Sequence, residues 1–149
     1  MQQAVSARTP AHLWIVGILS LLWNCFGAYD YTMSHMRNAD YLAKMGGDAT
    51  QILAYMDGMP MYAKFGWGLG VWAALLGSVL LLMRSRYAVH AFVLSLVGMV
   101  LSFGGQYLGP PAPPVMTEGM AKYFPLLIIG IGLVQLWYAW RESKEGVLR

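Results

Sequence analysis

Phe65–Met83 reads FGWGLGVWAALLGSVLLLM, a run without one charged side chain. About 18–20 apolar residues carry a helix across the roughly 30 Å hydrocarbon core of a bilayer, so this stretch predicts a membrane span. Further uncharged runs flank it at Thr9–Tyr29, Tyr87–Thr117 and Tyr123–Trp140, with His12 and His90 the only readily ionised interruptions. The chain of 149 residues is 58% hydrophobic and 11% charged, with a mean hydropathy of +0.49. An average soluble domain carries about 25% charged residues. These patterns predict an all-α integral membrane four-helix bundle, a single domain over residues 1–149, with spans at about 12–33, 63–83, 87–108 and 123–141. They leave no length for a separate soluble domain.

The first apolar run exceeds the 7–15 residues of a usual signal-peptide core and lacks a clean small-x-small site, so it is read as a helix of the mature protein. The single cysteine, Cys25, excludes an intrachain disulfide and multi-cysteine metal motifs. It is read as a small apolar side chain of the first span.

Arg8, Arg84, Arg86, Arg141, Lys144 and Arg149 flank one side of the spans, and Arg37, Lys44, Lys64 and Lys122 the other. Basic residues mark the cytoplasmic side, and short turns weigh most; Arg84-Ser85-Arg86 is such a turn. Both termini are therefore expected in the cytoplasm. Trp14, Tyr87, Trp137, Tyr138 and Trp140 fall at the expected inner boundary, and Tyr29, Tyr31, Tyr62, Trp67, Tyr107 and Tyr123 at the outer one, where amphipathic rings belong.

Outside the spans, a helical outer cap is expected over about residues 34–61, with the first helix running past Asp30 toward Met45. Asp48-Ala49-Thr50-Gln51 reads as the start of a short amphipathic helix that Gly58 and Pro60 close. Pro110-Pro111-Ala112-Pro113-Pro114, within an outer loop at about 109–122, favours an extended polyproline strand.

In lipid, small residues mark the faces on which helices approach. Span two carries Gly66, Gly70, Ala74 and Ser78 at every fourth position, and span three Ala91, Ser95, Gly98, Ser102 and Gly105 at steps of four and three. The ridge on span two suits a bundle neighbour or a second copy of the chain. Span four contributes Gly130 and Gly132. In span one, Gly17, Ser20, Asn24, Gly27 and Tyr31 share one face. Asn24 lies deep in the apolar run, where an unpartnered amide costs several kcal/mol, so it must point into the bundle. By depth and facing, Asn24, Asp30, Tyr31, Gln106 and Tyr107 form a candidate ligand-binding cluster. Interhelical hydrogen bonding that fixes helix order is the structural alternative.

The residues Trp23-Asn24, Gly27, Asp30-Tyr31, Tyr55, Pro60, Gly70-Val71, Gly77-Ser78, Leu80-Leu81-Leu82, Arg84-Ser85-Arg86, Phe92 and Ser95-Leu96 resemble a family of small four-helix bacterial membrane proteins. Its members are mostly uncharacterised and often carry a sugar-transporter label. The resemblance covers about the first two-thirds of the chain and implies a multi-pass protein of the inner membrane of a Gram-negative bacterium. Sugar sites need many convergent polar partners and stacking rings, which these spans do not offer.

Met33, His35 and Met36 end span one, and Met56, Met59 and Met61 precede span two; outer thioethers of this kind suit Cu(I), or serve as adaptable apolar filling. His12 and His90 on spans one and three would be the axial pair of a haem-binding oxidoreductase subunit, or simple interface residues. A proton-coupled exporter needs a membrane-embedded acid; Asp30 is near the outer edge, and the expected spans contain no Glu. No hydrolytic triad, zinc motif or phosphate loop appears. The net charge of +3 is accounted for by orientation and lipid contact, with no nucleic-acid partner. The expectation is a non-enzymatic, transporter-like or accessory bundle without a cofactor. Its partners would be the lipid bilayer and either further copies of itself or a larger membrane protein.

Overall fold

The structure, a computed structural model, describes residues 8–149. Helix α1 spans Ala11–His35, α2 Ala39–Lys44, α3 Ala49–Gly58, α4 Met61–Leu82, α5 Tyr87–Leu108, α6 Pro114–Thr117 and α7 Phe124–Lys144, with a 3-10 turn over Gly119–Tyr123 leading into α7. The described residues contain no strand. Four helices, α1, α4, α5 and α7 with its leading turn, are long and apolar enough to cross a membrane. This is the build of a multi-pass membrane protein.

Proline sets where the long helices begin. Pro10 and Pro60 stand just before α1 and α4, and Pro125 lies in the first turn of α7, where a missing N–H breaks no helical bond. Helix ends repeat one device, in which the residue after the cap turns left-handed and two backbone N–H groups return to the last turn. Gly46 (φ +90°) and Gly146 (φ +75°) close α2 and α7 this way. At the ends of α1 and α4 the left-handed position is filled by Arg37 (φ +55°) and Arg84 (φ +59°). That backbone is costly for a residue with a Cβ, and both side chains make tethers that glycine cannot. Arg37 grips Asp57 with two bonds of 2.7 and 3.2 Å, and Arg84 Nε donates to the Val147 carbonyl at 3.2 Å.

The left-handed turn corrects one expectation: α1 does not run on toward Met45. It stops at His35, and Asn38 restarts the chain as α2 by accepting a hydrogen bond from the Tyr41 N–H at 3.0 Å. The proline-rich stretch is likewise extended only through Pro113 (ψ 151°), after which Pro114 opens the single turn of α6.

The four spans pack in a row, α1 on α4, α4 on α5 and α5 on α7. The α4–α5 hairpin is the tightest contact. A Cβ added at Gly98 would fall within the backbone of Gly70, one at Gly66 would come within 2.7 Å of the Gly98 carbonyl, and one at Gly77 within 2.7 Å of Phe92. Ser95 Oγ donates to the Gly70 carbonyl at 2.7 Å across this seam. Backbones this close gain dispersion that side chains on lipid-facing surfaces do not.

At one end of the bundle Leu13, Leu81, Ala88, Phe92, Tyr138 and Ala139 pack with Val147 and Leu148. The segment after α7 folds back beneath the helices, and Arg149 exchanges backbone hydrogen bonds with the α4–α5 turn, donating to Arg84 (2.7 Å) and accepting from Arg86 (2.9 Å). At the other end the two long connections lie together, for Val115 covers Gly47 and Pro110 reaches Gly58. Pairs of a cation over a ring, Arg86 on Tyr87, Arg141 on Trp137, Lys144 on Trp140 and Lys122 on Tyr123, sit near the ends of the spans as an interfacial belt would place them.

Candidate functional site

Asn24 is buried and its amide nitrogen donates to the Ala74 carbonyl (3.0 Å) and to Ser78 Oγ (2.7 Å), while Ser78 donates to the same carbonyl at 3.1 Å. Span one thus presents its polar residue to span two. Around this lock Gly17 lies under Leu82, and Ser20 is buried, but Gly27 has open space above it, and the buried position one step on is Ala28. On α4 and α5 the small residues Gly66, Gly70, Ala74, Ser78, Ser95 and Gly98 are buried and Ser102 is half-buried. The α4 ridge is consumed inside the bundle, Gly66 and Gly70 by α5 and Ala74 and Ser78 by α1.

The other candidate ligand residues have separate surroundings. Asp30 accepts a 2.7 Å bond from the Tyr41 hydroxyl of α2, and burial together with this carboxylate pushes that hydroxyl's pKa upward. Tyr31 stacks on His35 with ring centres 4.0 Å apart and meets Trp67 and Trp72 edge-on at 5.0 and 6.0 Å. Its hydroxyl lies against Gly68. Gln106 is half-buried and Tyr107 is 69% exposed on α5, which packs between α4 and α7 rather than on α1. Among the described residues no hydrogen bond joins these five to one another. The angular reason is simple: residues six apart on a helix are turned by about 240°, so Asp30 cannot share the face of Asn24, whereas Tyr31 does.

Met36 and Met61 are largely exposed, and Met33, Met56 and Met59 are half-buried. His35 is occupied by stacking and by donating from Nδ1 to the Tyr31 carbonyl at 3.1 Å. Among the described residues no three His, Cys, Asp or Glu side chains gather as metal ligands. His12 and His90 have different companions, His12 a hydrogen bond to the Tyr138 hydroxyl and His90 the ring of Tyr87.

The most unusual side chains are two that sequence reasoning passed over. Helix α7 extends to Lys144, so Glu142 belongs to it, contrary to the expectation of spans without Glu; it is fully buried, and neither carboxylate oxygen has a hydrogen-bond partner. Gln135 is 5% exposed, its Nε2 is shut off, and it too has no partner. Both lie on the inward stripe Gly132, Gln135, Ala139 and Glu142, whose steps of three and four were the available signal. Gln135 lines a groove of about 610 Å³ between α1 and α7, with Val16, Ser20 and Trp23 on the facing wall. These helices join at His12 and Tyr138 and otherwise make little contact.

Comparison with protein families, curated proteins and solved structures finds no match to this chain.

Proposed function

We propose that this protein is a non-catalytic accessory bundle of a bacterial inner membrane, with both ends in the cytoplasm. The observation that carries the reading is the use to which deep polarity is put. Asn24 and Ser95 are spent on holding α1 to α4 and α4 to α5, and Gln135 and Glu142 stand singly on α7, whereas a transport path needs several polar groups converging on an aqueous or substrate cavity. A groove between α5 and α7 is walled by aliphatic side chains, and one between α1 and α7 mostly so. Arg84, Arg86, Arg141, Lys144 and Arg149 cluster at the end where Val147 and Leu148 fold under, which supports a cytoplasmic assignment for that end. The likeness to small four-helix bacterial membrane proteins supports the location.

Purification from native membranes in mild detergent, paired with solute flux in reconstituted vesicles, tests the role. An accessory subunit co-purifies with one partner in fixed ratio and gives no flux. Solute-dependent flux from the purified chain alone would replace this reading with the transporter-like one. A reporter fused after Arg149 and active only in the periplasm would reverse the orientation.

A further inference from the structure

The two ends of the bundle differ in how their charge is balanced. Asp30, Asp40, Asp48, Asp57 and Glu118 lie at the end that carries Arg37, Lys44, Lys64 and Lys122, where Arg37 grips the Asp57 carboxylate and Lys64 donates to the Asp57 carbonyl. The end where the chain folds back under α7 carries Arg8, Arg84, Arg86, Arg141, Lys144 and Arg149 against two acids, Glu142 and Glu145. Glu142 is fully buried, and Glu145 accepts from Arg141 at 2.9 Å. Arg86 and Lys144 are exposed beside the rings of Tyr87 and Trp140, and among the described residues neither forms an ion pair.

Arg86 also heads an apolar face. Arg86, His90, Val93, Val97 and Val100 recur along α5 at steps of four and three, which is one continuous side of a helix, and the three valines wall the groove that Leu136 of α7 closes. Trp140 and Lys144 follow Leu136 at steps of four, with Lys144 Nζ 5.8 Å from the Trp140 ring centre. Ala88 and Ala139 pack in one cluster, so α5 and α7 are neighbours at this end. At 1.5 Å per residue, Val93 and Val97 lie about 10 and 16 Å along the helix from Arg86, the reach of an acyl chain that fills one leaflet of the roughly 30 Å core.

Uncompensated cations at the head of an apolar groove describe an anionic amphiphile. A soluble polyanion would meet the cations and leave the groove bare, while a zwitterionic lipid would bring an ammonium group to an end whose one exposed carboxylate, Glu145, is already engaged. We propose that this end of the bundle binds an anionic phospholipid of the phosphatidylglycerol class, with its phosphate held by Arg86 and Lys144 and one acyl chain in the α5–α7 groove. The Arg86 guanidinium supplies parallel N–H donors that match two phosphate oxygens, and Lys144 adds a point charge. The inference rests on membrane embedding and is independent of the accessory role.

Native mass spectrometry of the full chain, released from micelles that carry either dioleoyl phosphatidylglycerol or dioleoyl phosphatidylethanolamine, reads the lipid retained per protein. Phosphatidylglycerol is expected to bind the more tightly of the two. Arg86→Gln and Lys144→Gln should each weaken it about fivefold, the equivalent of about 1 kcal/mol for a basic residue at an anionic surface. Val97→Trp, which fills the groove wall, should weaken it as well, and Lys44→Gln, which removes the same charge from the other end, should leave it unchanged. Equal retention of the two lipids would overturn the proposal. So would an equal loss in Lys44→Gln, for net charge alone would then account for binding, or displacement of the lipid by millimolar inorganic phosphate, which would show a site for a free anion.

Discussion

Asn24 and Ser78 hold one another across the α1–α4 interface at 2.7 Å, and both also donate to the carbonyl of Ala74. One acceptor on the α4 backbone is therefore shared by two side-chain donors, and among the described residues the pair is the polar attachment of α1 to α4 at that depth. Interhelical hydrogen bonds in membranes average about 0.6 kcal/mol and reach about 1.7 kcal/mol. Asn24→Leu is expected to cost about 1–2 kcal/mol, and a double-mutant cycle with Ser78→Ala to give a coupling of about 0.6–1.7 kcal/mol. Reversible unfolding in mixed micelles measures both. Zero coupling would mean that the contact does not contribute.

The glycines of the hairpin should separate into two groups. Gly98→Ala places a methyl group in the backbone of Gly70, and overpacking of this kind costs about 1–3 kcal/mol. Gly104→Ala meets nothing within 4 Å and should be neutral or stabilising by up to about 1 kcal/mol through helix propensity. Thermal midpoints of the two variants, measured side by side, check the contrast.

Glu142 is fully buried on the stripe of α7 that also carries Ala139 of the apolar cluster, and neither of its carboxyl oxygens has a hydrogen-bond partner. Replacing an unsatisfied buried polar group by an apolar one of similar size removes a penalty of about 1–3 kcal/mol. Glu142→Leu should therefore raise the thermal midpoint, while Ala139→Glu, which adds a second acid to the same cluster, should lower it. A fall for Glu142→Leu would show that the carboxylate holds the inner end together.

The Arg37–Asp57 tether should respond to acid. The hydrogen bond from Arg37 holds the Asp57 carboxyl below its usual range, aided by the charges of Arg37 and Lys64 and opposed by partial desolvation. A depressed folded value means that the tether contributes fully above the ordinary carboxylate range and is lost as the pH falls through the lowered value. Protection of the α3 amides, taken relative to their intrinsic exchange rate at each pH, should fall on acidification below that range. In Asp57→Asn, this protection should be lower at neutral pH and flat across the same window.

Length and hydropathy made the four spans legible, since the helices Ala11–His35, Met61–Leu82, Tyr87–Leu108 and Phe124–Lys144 follow the uncharged runs. The stripes of small residues on α4 and α5 were legible for the same reason that they pack, because backbone approach requires the absence of side chains. Helix order was not legible: Gly70 reads identically whether α5 or α1 covers it. Depth and facing grouped Asp30 with Asn24, and the facing was at fault, because a helix of 3.6 residues per turn sends them to different sides. Glu142, among Arg141, Lys144 and Glu145, reads as one member of a solvated charged end. Its place on the stripe Gly132, Gln135, Ala139 and Glu142 was the one periodic hint, and the left-handed turn at Gly146, after which the Val147 and Leu148 N–H groups bond back to the Glu142 carbonyl, is a tertiary event that the hint does not contain.

The row of spans also has a mechanical meaning. With α4 and α5 fused through glycine, the outer helices α1 and α7 hang from opposite edges of a stiff spine, each borne by a single neighbour. Their pivot is the His12–Tyr138 clasp, so thermal rocking changes the gap between them most at the far end, much as covers move about a binding.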